Sequence, residues 1–407
     1  MVKRATAFLG AGAVVGIGGP TTRQLTSAVR HRKQRNFSSD DPKEIPFIKR
    51  IADALDKYYA RDEANFEDIF HAIETLESLY VGLEPKTAKP FKPAIGAFVA
   101  PPSDMEYDPI IFDQGLNHIV EEVANHVVRF MAGFQPNGIH RWFADLWREA
   151  TKGCPWDIAT LNYDDCVERS LDPGSWEDGF VELDPGLFRF DPARFIRVEE
   201  TRILHLHGSV FYGYPHFRDP NRFNFEDQHE DLYRFASHED AEDTWFGRSQ
   251  NYAQSGESAI AGPIITGQRK PDKLLGIPYS TYQSVLHDAV LKNPSLLIIG
   301  YSFGDIHFNR LLSRLTRHHG DNRRVVVIDY VPEDSRGDSW APDGSIRGWP
   351  DVDMFHEVAR LARDTQPLDG SYHHPWISKD GLCRFYLEGF EEAVVRHGTE
   401  ILEFLLS

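Results

Sequence analysis

The chain has 407 residues, of which 44 are lysine or arginine and 62 are aspartate or glutamate, so its formal net charge at pH 7 is −18. This length is enough for one large domain or two to three ordinary ones. Such an acidic surface repels a phosphate backbone, which disfavours broad nucleic-acid binding by the chain alone. The three cysteines, Cys154, Cys166 and Cys383, are too few for a disulfide framework and form no C-x-x-C pair. Because this usage is typical of a reducing compartment, we expect a cytoplasmic protein.

The first apolar segment imitates a secretory signal, because Lys3 and Arg4 precede a mostly apolar run at residues 5–17. The glycines from Gly10 to Gly19 make a poor helical core for such a signal. We therefore interpret residues 5–9 as a short buried strand that runs into a glycine-rich turn. No segment approaches the roughly 20 apolar residues that span a bilayer.

A mostly helical region follows. One helix is predicted at residues 23–30, and a charged stretch at residues 30–43 has the composition of a linker. Apolar residues recur at helical spacing from residue 44 to residue 152, with a proline-rich break at residues 85–102. We interpret residues 38–150 as a helical insertion between two parts of one domain, residues 1–37 and 151–407.

Strand patterns return after the helical region, at residues 157–161, 202–206, 295–299 and 324–328. The last two are continuous apolar runs, as in strands that are buried on both faces of a parallel sheet. A helix predicted at residues 306–317 would link them as a βαβ unit. The sequence therefore predicts an α/β fold, a Rossmann-like parallel sheet with an inserted helical subdomain. Residues 211–258, rich in polar and aromatic residues, are interpreted as a long irregular excursion.

Four motifs follow predicted strands, and the first is the turn Gly10-Ala11-Gly12-Ala13. Backbone amides in such a turn can approach a pyrophosphate, although glycine pairs also form ordinary turns. The usual dinucleotide pattern fits poorly, because residues 16–20 interrupt the helix that should follow. Basic residues also stand about 20 positions later, where a ribose-binding acid is expected.

The second motif is Thr160-Leu161-Asn162-Tyr163-Asp164-Asp165. An amide and two carboxylates at a strand end lie where open α/β sheets bind ligands. The alternative is an Asx-turn that caps the following segment.

The third motif is Leu204-His205-Leu206-His207-Gly208-Ser209, in which the period of two predicts both histidines on one face of a strand. The pair could bind a metal, but no third ligand at suitable spacing is apparent. A histidine at a strand end is also a reasonable general base. One of the two is expected to be only a packed or surface histidine.

The fourth motif is Gly300-Tyr301-Ser302-Phe303-Gly304-Asp305. It fits G-x-S-x-G, the nucleophile elbow of α/β-hydrolases, and Asp329 and His356 follow in the required order. The other interpretation is a turn that binds a nucleotide ribose or phosphate. We rank the hydrolase second, because it leaves the other three motifs without a purpose.

Taken together, the four motifs resemble those of the sirtuin-like family of NAD-consuming enzymes. The first turn with Pro20-Thr21 resembles the Gly-Ala-Gly turn and cofactor loop of that family. The second, third and fourth resemble its Thr-x-Asn-Tyr-Asp, Leu-His-Gly-Ser and bacterial Gly-Tyr-Ser-Phe-x-Asp motifs. The resemblance covers residues 1–35 and 153–330, and is loose elsewhere.

The resemblance also departs from the protein-deacylating branch, because the four-cysteine zinc module of that branch is absent and no zinc is expected. Zinc-free bacterial members with a helical insertion resemble antiphage NADases, which destroy cellular NAD on infection. Members of about this length resemble the subunit that assembles with a HerA-type ring ATPase. The resemblance thus implies an NAD+ hydrolase. Because free NAD+ hydrolysis would kill the host, we expect homo-oligomerisation to control its activity, through the helical insertion or residues 390–404.

The resemblance implies a role for each motif. Asn162, His207 and Asp164 would be catalytic: the first would hold water or ribose, the second would act as general base, and the third would orient Asn162 or stabilise positive charge. The residues implied in NAD binding are Gly10, Ala11, Gly12, Ala13, Pro20, Thr21, Thr160, Gly300, Ser302, Phe303, Asp305 and Asp329. Three alternatives stay open: a serine hydrolase that uses Ser302, a nucleotide-sensing assembly subunit, and a deacylase.

Overall fold

The computed structural model describes residues 4–31, 47–58, 64–80, 110–215, 231–245, 249–252, 258–267, 270–330 and 376–407. In chain order, the strands are β1 (Ala5–Leu9), β2 (Trp156–Thr160), β3 (Trp176–Glu177), β4 (Phe180–Asp184), β5 (Leu187–Phe190), β6 (Thr201–His205), β7 (Tyr212–Gly213), β8 (Tyr233–Phe235), β9 (Ser249–Tyr252), β10 (Ser258–Ala261), β11 (Ser295–Ile299), β12 (Arg324–Ile328), β13 (Trp376–Ile377) and β14 (Cys383–Tyr386). The helices are α1 (Gly12–Val15), α2 (Thr22–His31), α3 (Phe47–Tyr58), α4 (Phe66–Tyr80), α5 (Ile110–Gly133), α6 (Arg141–Gly153), α7 (Pro192–Phe195), α8 (His238–Glu242), α9 (Lys270–Lys273), α10 (Tyr279–Lys292), α11 (Ile306–His319) and α12 (Phe390–Leu406).

The main sheet has the strand order β13-β14-β12-β11-β1-β2-β6-β3 within the described residues. Its neighbouring strands pair in parallel, apart from β13, which runs antiparallel to β14. The chain passes from β1 to β2, which pairs with one side of β1, and later returns to β11, which pairs with the other side of β1. The carboxyl ends of β1 and β11 therefore flank a topological switch point, where open α/β sheets bind ligands. The predicted α/β fold with a mostly parallel sheet is confirmed.

The central strands are buried on both faces, as the apolar runs predict. Along β11, Leu297 and Ile299 pack into one hydrophobic core, and Leu296 and Ile298 pack into a second. The first core includes side chains of α2 to α6 and α12, and the second includes those of α10 and α11. The predicted strands at residues 5–9, 295–299 and 324–328 have the observed bounds, and the other two differ by one residue at each end.

The helical region contributes to the first core through periodic apolar residues, among them Ile51, Ile69 and Ile73, each at most 3% exposed. These helices pack on one another and on the same face of the sheet. The proline-rich break and most of the predicted linker lie outside the described residues. None of the helices described is long and apolar enough to cross a membrane.

The expectation of an irregular excursion at residues 211–258 is wrong where the structure describes that segment. It contains α8 and the hairpin strand β9, and β8 joins β4, β5 and β7 in a four-stranded antiparallel sheet. Tyr233 and Phe235 are buried by this pairing. A strand of three residues is too short for its periodicity to be recognised in the sequence. Residues 216–230, 246–248 and 253–257 lie outside the described residues.

Candidate functional site

The first and fourth motifs meet at the switch point through their glycines. Gly10 N donates a hydrogen bond to Ile299 O, and Gly12 N donates to Gly300 O, both at 2.9 Å. A Cβ atom on Gly10 would lie 2.4 Å from Gly300 O, and one on Gly300 would lie 2.4 Å from Gly12 Cα. Gly300 also has a positive φ of 58°. Glycine is thus required here because two strand-end loops touch backbone to backbone.

The same contacts occupy most of the amides in the predicted phosphate turn. Ala13 N donates to Gly10 O at 3.0 Å, so three of the four amides from Gly10 to Ala13 bond within the chain. Ala11 is exposed at this edge. A phosphate would therefore meet the turn at Ala11 rather than in a cradle of free amides.

Pro20 and Thr21 lie at the start of α2. Thr21 Oγ1 accepts a hydrogen bond from Gln24 N at 3.2 Å, and Gln24 Oε1 accepts one from Thr21 N at 2.8 Å. This reciprocal pair is a capping box, which satisfies free amides at a helix start. In the structure Thr21 therefore has a structural role as a helix cap.

Asn162 is held against the glycine turn. Its backbone N–H donates to Thr160 Oγ1 at 3.0 Å, and its Nδ2 donates to Gly10 O at 3.1 Å. Asn162 is half-buried, whereas Thr160 is buried at the end of β2. Thr160 thus positions the amide, and the amide joins the second motif to the first.

Asp164 points away from this contact. Its Oδ1 accepts a hydrogen bond from Cys166 N at 3.1 Å, which is the Asx-turn considered as the alternative. Burial raises the pKa of Asp164, and the nearby Glu168 carboxylate adds to the effect. A buried carboxyl group whose charged form is disfavoured is better suited to hold the turn than to stabilise positive charge.

The two histidines of the third motif have different surroundings, because β6 ends at His205. His205 Nε2 lies 2.5 Å from Glu168 Oε1. Burial opposes its protonation, but the Glu168 carboxylate outweighs this, and the pKa of His205 is raised. Among the described residues no group of three or more His, Cys, Asp or Glu side chains is placed to hold a metal ion.

His207 follows the end of β6 and its side chain is 4% exposed. Burial lowers its pKa well below the ordinary value, and the nearby Lys270 and Lys273 cations and the His307 ring lower it further. Its Nε2 is buried without a hydrogen-bond partner among the described atoms and lies 4.0 Å from Asp305 Oδ2. His207 is therefore a neutral imidazole at pH 7, the form that a general base requires.

The fourth motif forms a turn rather than a nucleophile elbow. The strained residue is Phe303, with φ 58°, and its carbonyl oxygen accepts a hydrogen bond from Asn309 Nδ2 at 2.6 Å. The positive φ falls on the residue after Ser302, whereas an elbow places the serine itself at the strained position. This geometry favours the ribose- or phosphate-binding interpretation. His356, the third member of the hydrolase triad, lies outside the described residues.

Asp329 stands at the carboxyl end of β12. Its Oδ1 accepts a hydrogen bond from Tyr330 N at 2.8 Å, and burial raises the pKa of Asp329 to about 6. It is half-buried, on the strand next to β11.

Two lysines of α9 reach the site and were not predicted from the sequence. Lys270 Nζ lies 3.2 Å from both Asp305 Oδ1 and Glu67 Oε1, and Lys273 Nζ lies 2.8 Å from Glu74 Oε1. The glutamates belong to α4, about 200 residues away in the chain. The sequence signal for this contact was limited to Glu67 and Glu74, which are seven positions apart in the region of helical spacing and so share one face of a helix.

In a comparison with known families, residues 157–345 match the family described as a SIR2-like domain. Among solved structures, the chain is similar to Sir2Tm bound to a propionylated peptide, with 11% identity over 98% of this chain and 93% of that chain and a TM-score of 0.37. It is also similar to a Sir2 complex with a p53 peptide and NAD+, with 11% identity over 99% of this chain and 93% of that chain and a TM-score of 0.35. A search of curated proteins gives no match.

Proposed function

We propose that the chain is an NAD+ hydrolase that cleaves the nicotinamide–ribose bond and releases nicotinamide and ADP-ribose. The observation that carries this proposal is the buried His207, whose pKa burial lowers, at the carboxyl edge of the sheet and within the segment that matches a SIR2-like domain. Asn162 follows the neighbouring strand at the same edge, because β2 and β6 pair in parallel with Thr160 opposite His205. An amide and a base therefore stand beside the switch point, where a dinucleotide would bind.

The bond to nicotinamide needs little acid catalysis, because its ring nitrogen is already cationic. The bonding electron pair goes to that nitrogen, neutral nicotinamide leaves, and an oxocarbenium-like ribose is attacked by water. His207 takes a proton from the attacking water and later gives it to solvent. A general base of this kind contributes roughly 10²–10⁴-fold in rate.

Asn162 would hold the water or the ribose hydroxyls. At the end of the site that would bind the rest of NAD+, the exposed residues Ala11 and Ser302 would contact the phosphates or the adenosine ribose. Asp329 would accept a hydrogen bond from a ribose hydroxyl. The remaining residues implied in binding would shape the site: Gly10, Gly12 and Gly300 by their close contact, and Ala13, Thr160, Phe303, Pro20 and Thr21 by holding the loops. Asp164 would hold the turn that follows Asn162, and Asp305 would lie next to His207 as part of its charged surroundings.

The main test is to incubate the purified protein with NAD+ and measure the release of nicotinamide. We expect His207→Ala to lower the rate by about 10²-fold or more, as for loss of a general base. His287→Ala, an exposed histidine on α10, is the matched control and should keep the wild-type rate. Wild-type rates in both His207→Ala and Asn162→Ala would exclude this mechanism.

The other candidate activities give different outcomes in the same assay. A deacylase would consume NAD+ only when an acylated peptide is added. A nucleotide-sensing subunit would bind NAD+ without turnover. A serine hydrolase would be labelled on Ser302 by a fluorophosphonate, which the absence of a strained backbone conformation at Ser302 disfavours.

We further propose that the reaction serves antiphage defence in the cytoplasm by depletion of NAD+, in a homo-oligomer that assembles with a HerA-type ring ATPase. The support is the motif resemblance together with the need to restrain free NAD+ hydrolysis. Nicotinamide release should then rise when the ATPase is added, and the mass of the complex in solution should exceed that of one chain. A fully active monomer would contradict the regulatory part of this proposal.

A further inference from the structure

Asp305 makes an unusual contact for a residue that precedes a helix. It lies directly before α11, where an aspartate side chain commonly caps the first amides, but it makes no such cap. Instead, its Oδ1 lies 3.2 Å from Lys270 Nζ while its Oδ2 lies 4.0 Å from His207 Nε2. The carboxylate thus pairs with a lysine and stops short of hydrogen-bond distance from the proposed base.

Lys270 is in turn shared with the helical region. Its side chain is 9% exposed and its Nζ donates to Glu67 Oε1 of α4 at 3.2 Å. One helical turn further along α9, Lys273 is 2% exposed and donates a hydrogen bond to Glu74, which also belongs to α4. Two ion pairs therefore fasten α4 to α9: Lys273–Glu74 is buried, and Lys270–Glu67 has a half-buried glutamate. Only Lys270 also contacts Asp305.

We propose that Lys270 is a positioning residue: by binding Asp305 and Glu67 together, it holds the Asp305 carboxylate off His207 and makes the docking of helix α4 part of the site. The proposal rests on the proposed role of His207 as the base. Without Lys270, Asp305 would be free to pair with the imidazole and keep it protonated. A protonated His207 cannot accept a proton from water.

The charges around His207 come from several elements. Lys270 and Lys273 face it from α9, His307 and Asp305 from the start of α11, and Glu67 from α4 through Lys270. The loss of the Lys270 cation favours the imidazolium, whereas the loss of the Glu67 carboxylate disfavours it. If the loss of either residue only loosened the site, water would enter and the imidazolium would be favoured both without Lys270 and without Glu67.

The test is a histidine titration by NMR of the full-length protein above pH 6, with the His207 signal assigned by its loss in His207→Gln. In the wild type, Lys270→Arg and Glu67→Gln, we expect His207 to stay neutral throughout. In Lys270→Met, His207 should take up a proton within this pH range, because the freed Asp305 carboxylate then favours the imidazolium. The matched control is the double variant Lys273→Met/Glu74→Gln, which removes the other ion pair to α4 and should leave His207 neutral.

The proposal is overturned if His207 stays neutral in Lys270→Met, or if Glu67→Gln or the control protonates as readily as Lys270→Met. If Lys270→Met does not fold, Lys270→Met/Glu67→Gln removes both charges of this ion pair and gives the same discrimination, because Asp305 again lacks its cation. This readout needs no turnover. Failure of NAD+ hydrolysis and failure of the Lys270 assignment are therefore separate results.

Discussion

The side chain of Asn162 donates a hydrogen bond to the carbonyl oxygen of Gly10 at 3.1 Å, across 152 positions of the chain. The bond joins the loops that follow two adjacent parallel strands, β1 and β2. The glycine turn is bonded on its other side to Gly300 after β11. Three strand ends are thus joined into one continuous edge beside the switch point.

Asn162→Ala removes the amide that joins this edge and that would hold the reacting water or ribose. We expect nicotinamide release to fall by about 10²-fold, as when an aligned donor is lost from an active site. The free energy of unfolding should fall by only about 1 kcal/mol, as for one neutral hydrogen bond. Urea unfolding measured beside the rate would separate these effects. Equal losses of activity and folded protein would contradict a catalytic role.

Gly10→Ala places a Cβ 2.4 Å from Gly300 O and 2.7 Å from Tyr301 Cα, so backbone must move. We expect a destabilisation of about 2–3 kcal/mol, comparable with overpacking of a core. Gly304→Ala is the matched control in the facing loop, because the nearest atom to its Cβ is Ser302 Oγ at an ordinary 3.7 Å. Thermal unfolding of the two variants measures the difference in their stability. Equal stability would mean that the two loops can move apart at no cost, which would contradict the prediction.

Asp157 lies at the opposite end of β2 and is 0% exposed. Its carboxylate is 2.6 Å from Arg202 Nε and 3.0 Å from Arg4 Nη2, and it accepts a hydrogen bond from Asn293 Nδ2. Asp157→Ala leaves two largely buried guanidinium groups without their anion, so we expect a loss of about 3–5 kcal/mol in unfolding free energy.

The control for Asp157→Ala is Asp53→Ala, which removes an exposed ion pair with Lys49 on α3. Exposed pairs of this kind contribute about 0–1 kcal/mol. Chemical denaturation at pH 7 compares the two. Similar small losses in both would mean that the Arg4–Asp157–Arg202 cluster is not cooperative.

Asp329 predicts a dependence of stability on pH. Its pKa in the folded protein is raised to about 6 by burial, from an ordinary value of 3.8. Between these values the folded state binds more protons than the unfolded state, so stability falls as pH rises through this range. Asp329→Asn should therefore raise the unfolding free energy at pH 8 by about 1–2 kcal/mol, with little effect below pH 4.

The same variant tests the proposed ribose contact. If Asp329 accepts a ribose hydroxyl, Asp329→Asn should raise the KM for NAD+ while it stabilises the fold, a common trade-off at functional sites. Unfolding at pH 4 and pH 8 and steady-state kinetics at pH 8 measure the two effects. An unchanged KM would assign Asp329 to structure alone.

The strands of the sheet could be predicted because their signal is local. After their first residue, β11 and β12 are apolar without interruption, and this pattern is sufficient for burial on both faces. The motifs at the strand ends could be located for the same reason. By contrast, β8 has three residues and β14 has four, too few for a period to emerge, although β14 adds a strand to the main sheet.

The roles within the motifs could be predicted only in part. His205 and His207 are equivalent in spacing, but the strand ends between them, and one imidazole pairs with Glu168 while the other stays neutral. Asp164 and Asn162 are two positions apart, but their side chains bond to different loops. Side-chain direction at a strand end depends on the following turn, which the motif does not specify.

By itself, the sequence of this protein determined the class of fold, the positions of the apolar central strands along the chain and the residue types at the carboxyl ends of those strands. These features depend on neighbours a few positions apart. The tertiary structure alone decided which residues surround His207. Lys270 reaches Glu67 across 203 positions and Asp305 across a helix and a strand, so this contact exists only after α4 and α9 pack together. Buried charges compensate one another through space, and no local pattern in a chain records which partners will meet.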